Sequence, residues 1–157
     1  MVVARTGRFS IVPDVIVAAD ARWVLDDVAA VLSRPGDVIH EVNAGALVLP
    51  AVKEYDPDLV VLDLQIGNMG AMAACMELRL EESGGRIDHV PVLFLLDRRP
   101  DVFLARRAEA EGWVVKPLDP VRLRRAIRAL LDGGTYEDPS YRPPTVPEVV
   151  GTGAVPA

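Results

Sequence analysis

Five short strand-like runs recur along the chain, and the segments between them carry apolar residues at helical spacing. The runs are Val15 to Ala19, Val38 to Val42, Leu59 to Leu62, Val90 to Leu96 and Trp113 to Val115. Most are apolar on both faces, as strands buried on both sides of a sheet must be. Between them, Trp23, Val24, Val28, Val31 and Leu32 mark one helix. Ala46 to Glu54 marks a second, with Pro50 either near its start or at a kink. Ala71 to Glu82 marks a third, with Met72 and Met76 read as core, and Asp101 to Ala110 a fourth. Asp119-Pro120 supplies an N-cap and a first-turn proline for a fifth, whose stripe is Leu123, Ile127, Leu130 and Leu131. Alternating strands and helices give a parallel sheet covered on both faces, and right-handed crossovers restrict its topology. The expected fold is α/β: a flavodoxin-like, doubly wound (βα)5 sheet of order 2-1-3-4-5 in three αβα layers.

The domain expected from this pattern spans residues 14–132. Residues 1–13 read as an N-terminal arm. Residues 133–157, rich in proline and glycine, read as a flexible tail. With no output segment recognised in that tail, a stand-alone domain is expected.

Composition excludes several functions. The net charge of −6 lacks the basic footprint of a nucleic-acid binder. No apolar run reaches the roughly 18 residues of a membrane span, and the N-terminal residues lack the long apolar stretch expected of a signal peptide. Cys75 is the one cysteine, which suits a reducing cytoplasm, and its apolar neighbours suit a small buried hydrophobe. Neither His40 nor His89 sits in a ligand or catalytic pattern, so surface or strand-edge positions are expected. Of the 17 cationic residues only Lys53 and Lys116 are lysines. Lysine and arginine differ chemically, so each lysine draws attention.

In a doubly wound sheet the site lies beyond the carboxyl ends of the strands. Asp20 ends the first strand, Asp63 the third, Leu96-Asp97 the fourth and Lys116-Pro117 the fifth. The order 2-1-3-4-5 makes the first and third strands neighbours, so Asp20 and Asp63 converge and Lys116 reaches across. Two close carboxylates repel unless a cation intervenes. Hard oxygens suit Mg²⁺, and a lysine beside them can neutralise a phosphoryl group.

These segments resemble the response regulator receiver family. The stretch Asp58-Leu-Val-Val-Leu-Asp63-Leu-Gln-Ile-Gly-Asn-Met-Gly70 is similar to its phosphoacceptor segment. Gly112-Trp-Val-Val-Lys-Pro117-Leu118 is similar to its lysine–proline turn. The resemblance covers roughly Val15 to Leu131. It implies Asp63 as phosphoacceptor and Lys116 as the phosphoryl contact. It also implies a Mg²⁺ site from Asp20, Asp63 and the backbone carbonyl of Gln65, with switch positions at Leu96 and Trp113.

The departures weaken that switch. Ala19 stands where the family has a second acid, so Mg²⁺ binding should be weak. Leu96 stands where it has Ser or Thr. The lost hydrogen bond to a charged group is worth about 1.5–3 kcal/mol, roughly tenfold or more in a two-state equilibrium. Trp113 replaces Tyr or Phe, Gly67 a common proline, Ala71 a common glycine and Asp97 a small residue. Asp97 either repels a phosphoryl group or replaces part of the lost metal ligation. Two readings follow: a receiver phosphorylated on Asp63 by a histidine kinase, or a phosphate-independent pseudo-receiver that scaffolds protein contacts. Either is a signalling adaptor in a two-component phosphorelay, not an enzyme. A cobalamin carrier would want Asp-x-His and a haloacid dehalogenase-type phosphatase Asp-x-Asp. Gln65 fails both, and Ala18 to Arg22 is no flavin phosphate loop.

The last helix carries Arg122, Arg124, Arg125 and Arg128, and the preceding one Arg106, Arg107, Glu109 and Glu111. By resemblance, the face of the fourth helix, fifth strand and fifth helix docks partners or a second copy. An acidic protein suits it better than nucleic acid.

Overall fold

The computed structural model describes residues 12–141. Almost all of the expected N-terminal arm, and residues 142–157, lie outside the described residues. Strands β1 (Asp14–Ala18), β2 (Val38–Val42), β3 (Leu59–Asp63), β4 (Val92–Leu96) and β5 (Gly112–Val115) alternate with helices α1 (Arg22–Val31), α2 (Val48–Tyr55), α3 (Ala71–Ser83), α4 (Val102–Arg107) and α5 (Pro120–Leu131). A short sixth strand, β6 (Tyr136–Glu137), follows α5. The sheet order is β2-β1-β3-β4-β5-β6, and every pairing is parallel. The expected doubly wound arrangement is present, with one strand added.

Strand periodicity sorts the core. Ile16, Val60, Leu62, Phe94 and Leu96 point to the side covered by α2, α3 and α4. Val15, Val17, Val61, Leu93, Leu95 and Val114 point to the side covered by α1 and α5. All ten residues of β3 and β4 are buried. Fully burying one such side chain contributes about 1.5–3 kcal/mol, so the centre of the sheet is the stiff platform from which Asp63 projects.

Local rules explain most boundaries. Pro50 lies in the first turn of α2, where its missing N–H costs nothing, and a 3₁₀ turn at Gly45–Leu47 leads in. Asp119 caps α5 by accepting from the Arg122 N–H at 2.8 Å. Helix α4 is shorter than expected, because a 3₁₀ turn at Arg99–Asp101 takes its start and Glu109 adopts a positive φ of 58° beyond its end. Met76 and Trp23 are exposed, against the expectation that both belong to apolar stripes.

The reading of 133–157 as a loose tail is corrected at its start. Gly133, at φ 83°, turns the chain out of α5. Tyr136 and Glu137 then pair with Gly112 and Trp113 of β5. Asp138 is buried. Two strand residues are too few for a periodic signal, which is why the sequence reading missed them.

Candidate functional site

The carboxyl ends of β1, β3, β4 and β5 bring the expected residues to one edge. Asp63 is 1 % exposed. Its Oδ1 lies 2.6 Å from Lys116 Nζ and accepts a 3.3 Å bond from the Gln65 N–H. Its Oδ2 is buried and meets no hydrogen-bond partner among the described residues. A buried carboxylate is normally satisfied on both oxygens, so this orphaned oxygen singles out Asp63 among the buried acids.

Lys116 is held from several sides. Its backbone N–H donates to Leu96 at 2.8 Å, and the Lys116–Pro117 peptide is cis. Its ammonium also donates to Asp97 Oδ1 at 3.1 Å and stands 5.4 Å from the centroid of the Trp23 ring, within range of a cation–π contact. The Asp97 Oδ2 has no hydrogen-bond partner among the described residues. The sequence flagged Asp97 as an intruding acid but left its direction open. The structure places it on Lys116, beside Asp63. Trp23 was missed, since its helical spacing made it look like core.

Asp20 is exposed, and its Oδ2 accepts from the Gly67 N–H at 3.1 Å. That bond ties β1 to the loop after β3. The loop is pinned again by Gly45 N–H to the Gly67 carbonyl (3.0 Å) and Ala46 N–H to the Asn68 carbonyl (2.9 Å). Asn68 and Met69 adopt positive φ of 50° and 69°. A Cβ on Gly45 would lie 1.5 Å from the Met69 carbonyl oxygen, so glycine is required there.

The switch positions differ from one another. Leu96 is fully buried and offers no hydroxyl. Trp113 is buried too, with the Arg106 guanidinium 5.2 Å from its ring centroid, and its indole N–H finds no acceptor among the described residues. The expected docking face is also altered, because β6 lies along the edge of β5 and Arg106 of α4 reaches Glu137 at 3.6 Å.

Both histidines lie beside acids. His40 stacks on Tyr55 at 3.6 Å and lies 2.9 Å from Asp14 Oδ1. His89 sits between Glu82 and Glu111, whose carboxylates also hold Arg79. Among the described residues no group of three or more His, Cys, Asp or Glu side chains is placed to hold a metal by itself, and no helix is long and apolar enough to cross a membrane.

Residues 15–128 match the profile of the response regulator receiver domain family. The DNA-binding response regulator MtrA of Mycolicibacterium smegmatis is 30% identical over 119 residues, covering 74% of this chain and 50% of that protein. The transcriptional regulatory protein AfsQ1 of Streptomyces coelicolor is 31% identical over 108 residues, covering 68% and 45%. This chain thus spans about half the length of the curated relatives it matches. Among solved structures, a LuxR-family two-component response regulator from Aurantimonas sp. superposes with a TM-score of 0.71 at 24% identity, over 83% of this chain and 92% of that one. The chemotaxis response regulator CheY4 of Vibrio cholerae gives 0.67 at 18% identity, over 76% and 98%. These superpositions show the shared fold.

Proposed function

This chain belongs to the response regulator receiver domain family, and from that premise we propose that it is a phosphoaccepting receiver whose acceptor is Asp63. The observation that carries the reading is the asymmetric state of the Asp63 carboxylate. Oδ1 is neutralised by Lys116, while Oδ2 is buried and without a partner among the described residues. A carboxylate oxygen attacks phosphorus, the bond from phosphorus to the donor's nitrogen or oxygen breaks, and the donor leaves with that electron pair. Lys116 stays beside Asp63, where it offsets the negative charge brought by the phosphoryl group. Positioning and charge neutralisation are the main means by which proteins lower such barriers.

Receiver domains generally use Mg²⁺ at this point, and the residues present suit it. Asp20 and Asp63 are hard carboxylate donors, Gln65 has a backbone carbonyl on the adjoining loop, and Mg²⁺ habitually keeps several waters. When bound, the ion would supply positive charge that offsets the carboxylates and the incoming phosphoryl group. With Ala19 in place of an acid, Asp20 and Asp63 are left as the carboxylates of that site, so weak affinity is expected.

The proposed role is that of an adaptor in a two-component pathway, receiving its phosphoryl group from a histidine kinase and catalysing no reaction on other molecules. DNA binding is stated in the names of full-length relatives and is not carried over to this chain.

One observation favours the phosphate-independent reading. Asp97 already places a second carboxylate on Lys116, and Leu96 provides no hydroxyl to reward phosphorylation. Intact mass after incubation with Mg²⁺ and a small acyl phosphate separates the two. Gain of one phosphoryl group, absent in Asp63→Asn, is expected. No gain in the unmodified protein would overturn phosphorylation and leave the scaffold reading.

A further inference from the structure

The segment after α5 does more than end the domain. A Cβ on Gly112 would lie 2.7 Å from the Tyr136 carbonyl oxygen and 3.2 Å from the Tyr136 Cβ. The glycine that opens β5 is therefore the seat on which the segment crosses. Tyr136 N–H donates to the Glu111 carbonyl at 3.0 Å, and Gly134 N–H to the Ala129 carbonyl at 2.8 Å.

Asp138 follows, with a side chain wholly withdrawn from solvent. Its Oδ2 accepts from the Val115 N–H at 2.9 Å and from Arg122 Nη1 at 2.7 Å. Its Oδ1 accepts from the Ser140 N–H at 2.9 Å. Arg122 in turn donates to the Pro117 carbonyl at 3.2 Å and to Ser140 Oγ at 3.1 Å. Val115 and Pro117 flank Lys116. One buried carboxylate thus holds the residue before Lys116 directly and the residue after it through a single arginine.

We propose that residues 134–141 form a strap and that Asp138 is a positioning residue, clamping the turn between β5 and α5 so that Lys116 stays on Asp63. The inference builds on the reading of Asp63 and Lys116 as the phosphoryl site. It adds a regulatory consequence: anything that lifts the strap from the β5 edge loosens Lys116. The uncovered β5 would also present unpaired backbone groups, which attract another strand.

The chain's two lysines make the test clean. In the 157-residue chain labelled with ¹⁵N-lysine, the side-chain signals of Lys116 and Lys53 are followed by NMR. Asp138→Ala is expected to move the Lys116 signal toward that of an unpaired lysine and to leave Lys53 unmoved. Asp138→Glu should restore part of the shift, and Arg122→Gln should produce part of it. Misplacing a reacting group by about 1 Å can cost a hundredfold, so phosphoryl uptake in Asp138→Ala should slow by roughly tenfold. An unmoved Lys116 signal in folded Asp138→Ala overturns the proposal. If Asp138→Ala does not fold, Arg122→Gln decides on the same signal. If the unmodified protein takes up no phosphoryl group, the phosphoacceptor reading fails, while the Lys116 signal still judges the strap.

Discussion

Asp97 stands 3.1 Å from the ammonium of Lys116, the group that also holds Asp63 at 2.6 Å. One lysine is divided between two acids. A unit charge at about 4 Å is worth about 1 kcal/mol in water and about 4 kcal/mol at the lower effective dielectric of a protein surface. Asp97 is partly exposed, so the smaller figure applies. Asp97→Asn should therefore raise the rate of Asp63 phosphorylation by a small diffusible donor by roughly fivefold. The phosphoprotein band on a phosphate-affinity gel, sampled over time, measures this. An unchanged rate would mean that Asp97 neither repels the donor nor drains Lys116.

Leu96 offers a second handle. It is fully buried at the end of β4, where a hydroxyl would face the phosphoryl group by family resemblance. Leu96→Thr removes apolar volume and should lower stability by about 1–3 kcal/mol. It should also add a hydrogen bond to a charged acceptor, worth about 1.5–3 kcal/mol in the phosphorylated state alone. The thermal midpoint should fall while the shift of amide resonances on phosphorylation grows. A fall in stability with no gain in that response would show that the β4–α4 loop cannot close on Asp63.

Legibility in the sequence followed period and length. The five main strands were readable because most of the runs are apolar, and breakers such as Ser33-Arg34-Pro35-Gly36 and Asp56-Pro57-Asp58 punctuate them. The meeting of Asp63 with Lys116 was readable because β3 and β5 flank β4, and a lysine side chain is long enough to reach across one strand. Trp23 was not, since helical spacing cannot tell a core residue from one lying over a neighbouring lysine. Nor was β6: Tyr136-Glu137 carries no periodic signal, and Asp138 gains its meaning only once the chain has turned back onto β5. Side-chain satisfaction in three dimensions, not pattern along the chain, decides such residues.

Cys75 should be inert in the folded protein. Burial, its largest influence, pushes the thiol up to about 12, and the thiol donates a hydrogen bond to the Ala108 carbonyl at 3.2 Å. The thiolate is the reactive form, so almost none exists at neutral pH. A thiol reagent at pH 8 should leave the native protein unlabelled and label it once denatured. Labelling at the speed of a free thiol under native conditions would show that α3 lifts readily from β4.

Asp138 gives the strap a defined acid limit. Burial alone would raise its pKa, but the N–H groups of Val115 and Ser140 and the Arg122 guanidinium together hold it below the ordinary 3.8. A carboxyl depressed in the folded state stabilises fully above its unfolded value, and that contribution is lost as pH falls toward the folded value. The Asp138 contribution should thus be constant from neutral pH down to about 4 and shrink below it. Asp138→Ala leaves the buried Val115 N–H without its acceptor, at a cost of about 1–3 kcal/mol. Urea unfolding of both proteins at pH 7, 5 and 3 reads the difference. It should be equal at pH 7 and 5 and smaller at pH 3. A difference already shrinking between pH 7 and 5 would require a group with a higher pKa to hold the strap, and Asp138 would not be its clamp.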